Sequence, residues 1–537
     1  MGGLECVTGG IKTLLGAIIV IAALPVMVPV LIVLWLWRCL ALLVVLIKHR
    51  KIVHVASGIE ALFALDSAGA RAVISGVLVV RGRVEIATAR KRLQEHVLNA
   101  RDSKGRLLHP KFRQMVGKRC GVVVWMWEDN FQVTSHVREM QRELRDEIDL
   151  LEEITSRNKL PFVRGHSGWE LLVASMASYG KQHEPHTAVL VRLHHSLGDG
   201  RSFITLLLSA LLDSPLEKPQ TLPIARHHQD SRLARLGRLL WAVSNTPWVM
   251  RRVLRRGEPS PLHGCRLEGR KILAWSSPMS LAALKEGRSL AGVTVNDLLL
   301  AGLAQALHRY LKTKGDAMPQ RVVTVLPVDV TPPTDTLAVT NNLSLCTFSL
   351  PTGPMALLAR LEAIHRRLER LKESPDIIVN YVVLDMFTNL LPGPLARRAL
   401  NTHGVTLVAS NLPGPQETIH MFGGVVDDIM FWIPNKSRTG IGVSMLSYRG
   451  QVRLGLNVDT ALVNSEEVAQ QLLEDTIVQT RSLLKELGAV EIEPEAMLSD
   501  TVSAVSETEL LLGEGKQLPL RPNQPPRVRP ATLTHKN

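Results

Sequence analysis

His194-His195-Ser196-Leu197-Gly198-Asp199-Gly200 is the stretch around which the chain is organised. A β-type run, Thr187 to Leu193, leads into it and an apolar helical pattern from Ser202 to Leu212 leads out, so the two histidines stand where a strand ends. That is the address of an active site. A histidine, with its ordinary pKa of about 6.5, is the side chain best suited to remove a proton near neutrality, and a Gly-Asp-Gly turn lets an aspartate fold back and fix the loop. Neighbouring strand residues face opposite ways, which gives His194 the reading of a buried, hydrogen-bonded support. A metal site built from the pair and Asp199 lacks a third histidine or cysteine at ligand spacing. The other pair, His227-His228, follows no β-run and has no Asp-Gly turn, and reads as solvated loop.

With 537 residues, 46% hydrophobic, the chain is too long for one ordinary core and too apolar to be mostly disordered, so two domains with appendages are expected. The five cysteines are scattered, with no Cys-x-x-Cys, which points to a reducing compartment and no zinc site among them. The formal net charge of +14 leaves nucleic acid, anionic membrane or anionic substrate open until its position is known.

From Thr13 to Trp37 no side chain is charged, and after Arg38 the apolar character resumes to Ile47, longer than the ~20 residues that cross a bilayer. The stretch is also too long for the apolar part of a cleaved signal peptide. Residues 1–51 are therefore expected to be a membrane anchor. Pro25 and Pro29 leave two forms, one kinked span or a hairpin returning to the same face, and the single span is the expected one. Lys48, Arg50 and Lys51 follow the segment, against Lys12 and Glu5 before it, which puts the remainder in the cytosol. Endoplasmic reticulum, plasma membrane and lipid droplet are not distinguished.

The remainder reads as strands interleaved with helices, an α/β or α+β layer. In residues 57–225 the pattern gives a short helix or turn at 59–66, strands at 72–81, 122–127, 131–137 and from Trp169, and helices at 86–99 and 138–154, the last with Leu144, Ile148 and Leu151 as its buried stripe. A second domain, 265–490, carries helices at 281–290, 298–311, 355–372 and 466–487, strands at 321–330 and 405–410, and a hairpin over 440–458, with Asn296 or Asp297 able to cap the helix that follows them. The connector 226–264 holds eight arginines between Arg226 and Arg256 against one acidic residue, Asp230. Leu233, Leu236, Leu240 and Val243 recur there at helical spacing, which fits a basic helix lying on anionic lipid or a crossover helix packed on the protein. Nucleic acid is disfavoured, because no recognition motif accompanies the charge. Residues 498–537 turn polar and proline-rich and read as a disordered tail.

His-His-x-x-x-Asp-Gly resembles the motif of the coenzyme-A-dependent acyltransferase superfamily. Taken with Trp169-Glu170, Thr294-Val295-Asn296-Asp297, Pro327-Val328 followed by Asn342, Ser410-Asn411-Leu412-Pro413-Gly414-Pro415 and Ser447-Tyr448-Arg449-Gly450, it occurs in the order seen in the wax ester synthase/diacylglycerol acyltransferase family, over roughly residues 57 to 490. The resemblance implies two chloramphenicol-acetyltransferase-like domains joined by a crossover, with the histidine in a tunnel between them. It implies direct transfer of a fatty acyl group from acyl-CoA, a co-substrate and not a bound cofactor, to a fatty alcohol or diacylglycerol. His195 would be the general base, His194 its support, Asp199 the loop-orienting residue and Asn296 the oxyanion donor, with Gly200 and Asp297 near the substrate. The membrane segment departs from the soluble bacterial pattern, and Asp329 stands where the family often has a serine. The alternative is a catalytically idle lipid-binding scaffold of the same fold, against which the intact histidine, aspartate and glycines speak.

Overall fold

The computed structural model describes residues 2–48, 51–56, 58–66, 71–180, 184–214, 216, 231–255, 257–263, 265–315, 318–331, 339–399, 404–436 and 438–489. The tail expected at 498–537, the His227-His228 pair, Arg226 and Arg256 lie outside these residues.

Two large sheets carry the fold. In the first, six strands run in the order His420–Met421, Gly424–Trp432, Val73–Arg81, His186–His194, Trp169–Met176, Val137–Glu139. The strand His186–His194 is interior, paired antiparallel on both sides, with Val73 opposite His194 and Trp169 opposite Leu193. It is buried on both faces, more completely than an alternating run predicts. The second sheet orders Leu343–Pro351, Arg321–Asp329, Leu407–Pro413, Ile441–Tyr448, Gln451–Asp459 and Lys271–Trp275. The helices Val295–Thr313, Leu357–Lys372 and Glu466–Glu486 bury their apolar faces with it in one core. Gly424–Trp432, far along the chain, pairs with Val73–Arg81, so the first sheet is completed by a late strand.

Three local readings are corrected. Residues 131–137 form a turn of helix, Val133–His136, before the short strand, because Val137–Glu139 pairs in parallel with the strand from Trp169. That pairing also delays the helix expected at 138–154 to Glu147–Asn158, where Asp146 caps it. In this shifted helix Leu150 and Ile154 are buried, Ile148 is 70% exposed, and Leu144 lies outside it. The helix Asp376–Leu390 has no sequence counterpart, since its β-branched, evenly apolar composition shows no helical period.

The amino-terminal helix is continuous from Gly2 to Lys48 through Pro25 and Pro29, and is long and apolar enough to cross a membrane. It touches the same folded body at both ends. Near its start it lies on the basic helix Arg232–Leu254, where Trp248 Nε1 donates to the Lys12 carbonyl (2.9 Å) and Asn245 Nδ2 to Thr13 Oγ1 (3.2 Å). A Cβ at Gly16 would stand 1.9 Å from the Ser244 carbonyl oxygen, so only glycine permits this approach. Near its end, Ala41 and Val45 pack on Val122, Val124 and Met126 of a three-stranded sheet. The basic helix is divided in character: Ala242 and Val249 are buried against Val379, whereas Leu233, Leu236, Leu239, Leu240 and Val243 are exposed.

Candidate active site

The turn after the histidine strand is held from three sides. His194 N donates to Gly168 O and His195 N to Ala72 O, both at 2.7 Å. A Cβ at Gly168 would meet the His194 Cβ at 2.8 Å, so the strand end is clasped closely. Asp199 caps the helix Gly200–Leu206 by accepting from Ser202 N (2.8 Å), and its other oxygen accepts from Asn342 N (3.1 Å). Its own N donates to Thr340 O at 3.0 Å. Asp199 thus ties the histidine loop to a segment some 140 residues later, and burial raises its pKa despite these bonds.

His195 lines a cavity of about 380 Å³ and is only 9% exposed. Phe63 stacks on its ring at 3.7 Å between centroids. Asn341 sets its tautomer. The Asn341 amide nitrogen donates to the backbone carbonyls of His195 (2.8 Å) and Ser196 (3.3 Å), so its oxygen, 3.2 Å from His195 Nδ1, must accept. The proton therefore sits on Nδ1 and the lone pair on Nε2. Burial lowers the pKa of His195 to about 4, which keeps the ring neutral and able to accept a proton.

His194 faces away into a separate network. Its Nε2 is 3.1 Å from Asp66 Oδ2, while its Nδ1 lies 2.7 Å from Ser196 Oγ and accepts weakly from Ser196 N. Asp66 also accepts from Ala72 N, the residue whose carbonyl holds His195. Burial pushes the Asp66 carboxyl up, but its bond to His194 and the charges of His194 and Lys436 outweigh that and leave it below its ordinary value.

The cavity walls are mostly apolar, with Met250, Val253 and Leu254 from the basic helix and Val383, Leu384 and Phe387 from Asp376–Leu390. Few polar side chains share it with His195; among them are Asn380, Ser410, Asn411 and Lys436. Lys436 donates to Leu65 O (3.2 Å) and stands over the Phe63 ring, and burial lowers its pKa to about 8. Gly200 also lines the cavity, as do Arg201 and Asp329, which form an ion pair.

Asn296 and Asp297, expected beside the substrate, are not among the residues that line this cavity. They open the helix Val295–Thr313, whose cap is Thr294: its hydroxyl accepts from Asp297 N and the Asp297 carboxylate accepts from Thr294 N, a reciprocal capping box. Asp297 is fully buried and also meets His365 Nδ1 at 2.8 Å. The residues that do surround His195, namely Phe63, Asn341 and Lys436, come from distant parts of the chain, and only the run leading to Asn342 was marked in sequence.

A model of the WS/DGAT C-terminal domain matches residues 339–478, which include Asn341 and Lys436. A putative diacylglycerol O-acyltransferase of Mycobacterium tuberculosis is 25% identical over 382 residues, 64% of this chain and 79% of that protein. The wax ester synthase/diacylglycerol acyltransferase of Marinobacter aquaeolei superposes with a TM-score of 0.54 at 19% identity, covering 81% of this chain and all of that one. The chain is similar to the WS/DGAT acyltransferases. Its fold extends more widely: a starter condensation domain of rhizomide synthetase in complex with C8-CoA superposes with a TM-score of 0.51 at 13% identity, covering 82% of this chain and 96% of that one.

Proposed function

We propose that the chain transfers a fatty acyl group from acyl-CoA to the hydroxyl of a fatty alcohol or a diacylglycerol, with His195 as general base. The observation that carries this reading is the His195–Asn341 pair, which leaves Nε2 as the basic nitrogen on a ring that lines an apolar cavity. Nε2 takes the hydroxyl proton as the alcohol oxygen attacks the thioester carbonyl. The tetrahedral intermediate then expels the CoA thiolate, which recovers that proton from the imidazolium, so the histidine ends neutral. Asp199 orients the loop and His194, held by Asp66, supports the strand end. Asn411, Ser410 and Lys436, which share the cavity, are the groups available to the developing oxyanion in place of Asn296.

The same reading attaches the enzyme to a membrane, on its cytosolic face. From Gly16 to Ala41 an α-helix spans about 38 Å, more than the ~30 Å hydrocarbon core of a bilayer. Because one folded body holds both positions, the reading favoured here lays the helix along the body within one leaflet, with its exposed residues in lipid. The exposed leucines of the basic helix join that surface, and the far end of the same helix lines the cavity, which gives a membrane lipid a short path to His195. The domain limits 57–225 and 265–490, with a basic connector between, are kept as a working division.

The test is to supply membranes containing the protein with labelled acyl-CoA and a panel of long-chain alcohols and diacylglycerols, and to identify the product. A labelled wax ester or triacylglycerol, absent with His195→Ala, is the expected result. Acyl transfer to neither acceptor class by a folded wild-type protein would leave the idle scaffold.

A further inference from the structure

Away from the cavity, the fold brings together three residues that sequence spacing does not connect: Glu128, His136 and His166. One ligand atom from each lies within 4.8 Å of the others. His166 Nδ1 is 2.7 Å and His136 Nε2 3.1 Å from the same oxygen, Glu128 Oε1. None of the three lines the cavity that holds His195.

The surroundings fix these groups as ligands are fixed. His136 Nδ1 lies 2.8 Å from the Trp169 carbonyl, which can only accept, so the proton is on Nδ1 and Nε2 is turned to the carboxylate. The ring is clamped between Phe131 and Trp169, at 5.1 and 4.6 Å between centroids. Glu128 Oε2 accepts from Ser167 N at 2.6 Å, which orients the carboxylate, and also lies 3.2 Å from His136 Nε2, while Oε1 faces both histidines. Such partners are what hold metal ligands in place and in the right tautomer. With a carboxylate facing two imidazole nitrogens, the site calls for positive charge among them. A divalent cation placed among them would be met by all three ligand atoms at once.

We propose that Glu128, His136 and His166 bind a divalent transition metal of the zinc class. Two imidazoles and one carboxylate are a donor set that zinc takes with a fourth position left to water. Glu128 and His136 are buried, with side chains 1% and 2% exposed, while the His166 side chain is 36% exposed and gives the ion its way in and its open position. The metal would act on the fold and not on the thioester. His166 is followed by Ser167, which bonds Glu128, and by Gly168, whose carbonyl holds His194 N, so an occupied site braces the clasp behind the catalytic strand.

The full-length protein in detergent, stripped with a chelator, is titrated with zinc and with cobalt. The wild type should bind about one equivalent, give the visible absorption of four-coordinate cobalt, and melt at a higher temperature with zinc than without it. His166→Ala, a change at the most accessible of the three ligands that should keep the native circular dichroism, should lose that equivalent and the zinc-dependent rise in Tm. His166→Cys, which restores a ligand atom, should recover both. Equal zinc binding and an equal Tm shift in the wild type and His166→Ala would overturn the proposal, as would a wild type that binds no zinc. Neither readout depends on acyl transfer.

Discussion

Asn341 grips His195 at two points, its amide nitrogen on the histidine's own carbonyl at 2.8 Å and its oxygen 3.2 Å from Nδ1. A residue from one half of the sequence thereby decides which nitrogen of the other half is basic. Removing a general base costs about 10²–10⁴-fold in rate, so His195→Ala should abolish most turnover while acyl-CoA binding persists. Asn341→Ala should lower kcat by a smaller factor with little change in KM. Asn341→Asp distinguishes positioning from packing: a carboxylate at Nδ1 stabilises the imidazolium, so the acid limb of the rate profile should move to higher pH. An Asn341→Asp profile identical in shape to the wild type would remove Asn341 from that role.

The pH profile of the wild type follows from the burial of His195. Its pKa is lowered to about 4, so Nε2 remains unprotonated throughout the neutral range. kcat/KM should therefore stay level as pH falls through 6.5, the ordinary histidine value, and decline only nearer about 4. Stability has the same sign: between those values the unfolded chain binds the proton and the folded one does not. The contribution is thus full above about 6.5 and is lost as pH falls toward the folded pKa. An acid limb centred near 6.5 in kcat/KM would mean that the ring is solvated in the working enzyme.

The strand, turn and helix around His195 are legible in sequence because each is local. A β-run enters, Asp199 caps the exit, and both signals lie within a few residues. What surrounds His195 is not legible, because Phe63 and Asn341 reach it across more than a hundred residues and neither type is marked by local pattern. Asn296 shows the opposite case. A polar residue in a family motif suggested chemistry, but the neighbouring Thr294 and Asp297 already account for the motif as a helix start. The displaced helix Glu147–Asn158 was misplaced for a third reason, since pairing of Val137–Glu139 with the strand from Trp169 took residues that charge and periodicity assign to a helix.

Asp199→Ala should act on fold and rate together. It leaves the N–H groups of Ser202 and Asn342 without their acceptor, a loss of roughly 1–3 kcal/mol for buried groups. Thermal melting and turnover should both fall. A variant that melts as the wild type does but turns over slowly would instead place the carboxylate in direct contact with substrate.

Asn296 and Asp297 should separate cleanly from the chemistry. Asp297→Ala removes the reciprocal cap and the partner of His365, and should destabilise by about 0.5–2 kcal/mol, with turnover per folded molecule preserved. Asn296→Ala should change neither kcat nor KM appreciably. A hundredfold fall in kcat for Asn296→Ala in a fully folded protein would return it to the reaction.

The membrane reading can be tested at the two ends of the amino-terminal helix. If the helix lies along the body within one leaflet, single cysteines at Gly9 and at Lys48 in a cysteine-free chain should both react with an impermeant maleimide added to the cytosolic side of intact vesicles. A helix crossing the bilayer would expose only one of them. Deleting residues 1–51 should release the protein from alkali-washed membranes, and any residual binding to anionic vesicles should depend on the basic helix. Changing Arg232, Arg235 and Arg238 to glutamine should then weaken that binding, at roughly 1 kcal/mol for each charge near an anionic surface, with the effect fading as salt rises. Residual binding that ignores both salt and these three substitutions would assign it to the exposed leucines alone, and with it the approach of the lipid acceptor to the cavity lined by Met250, Val253 and Leu254.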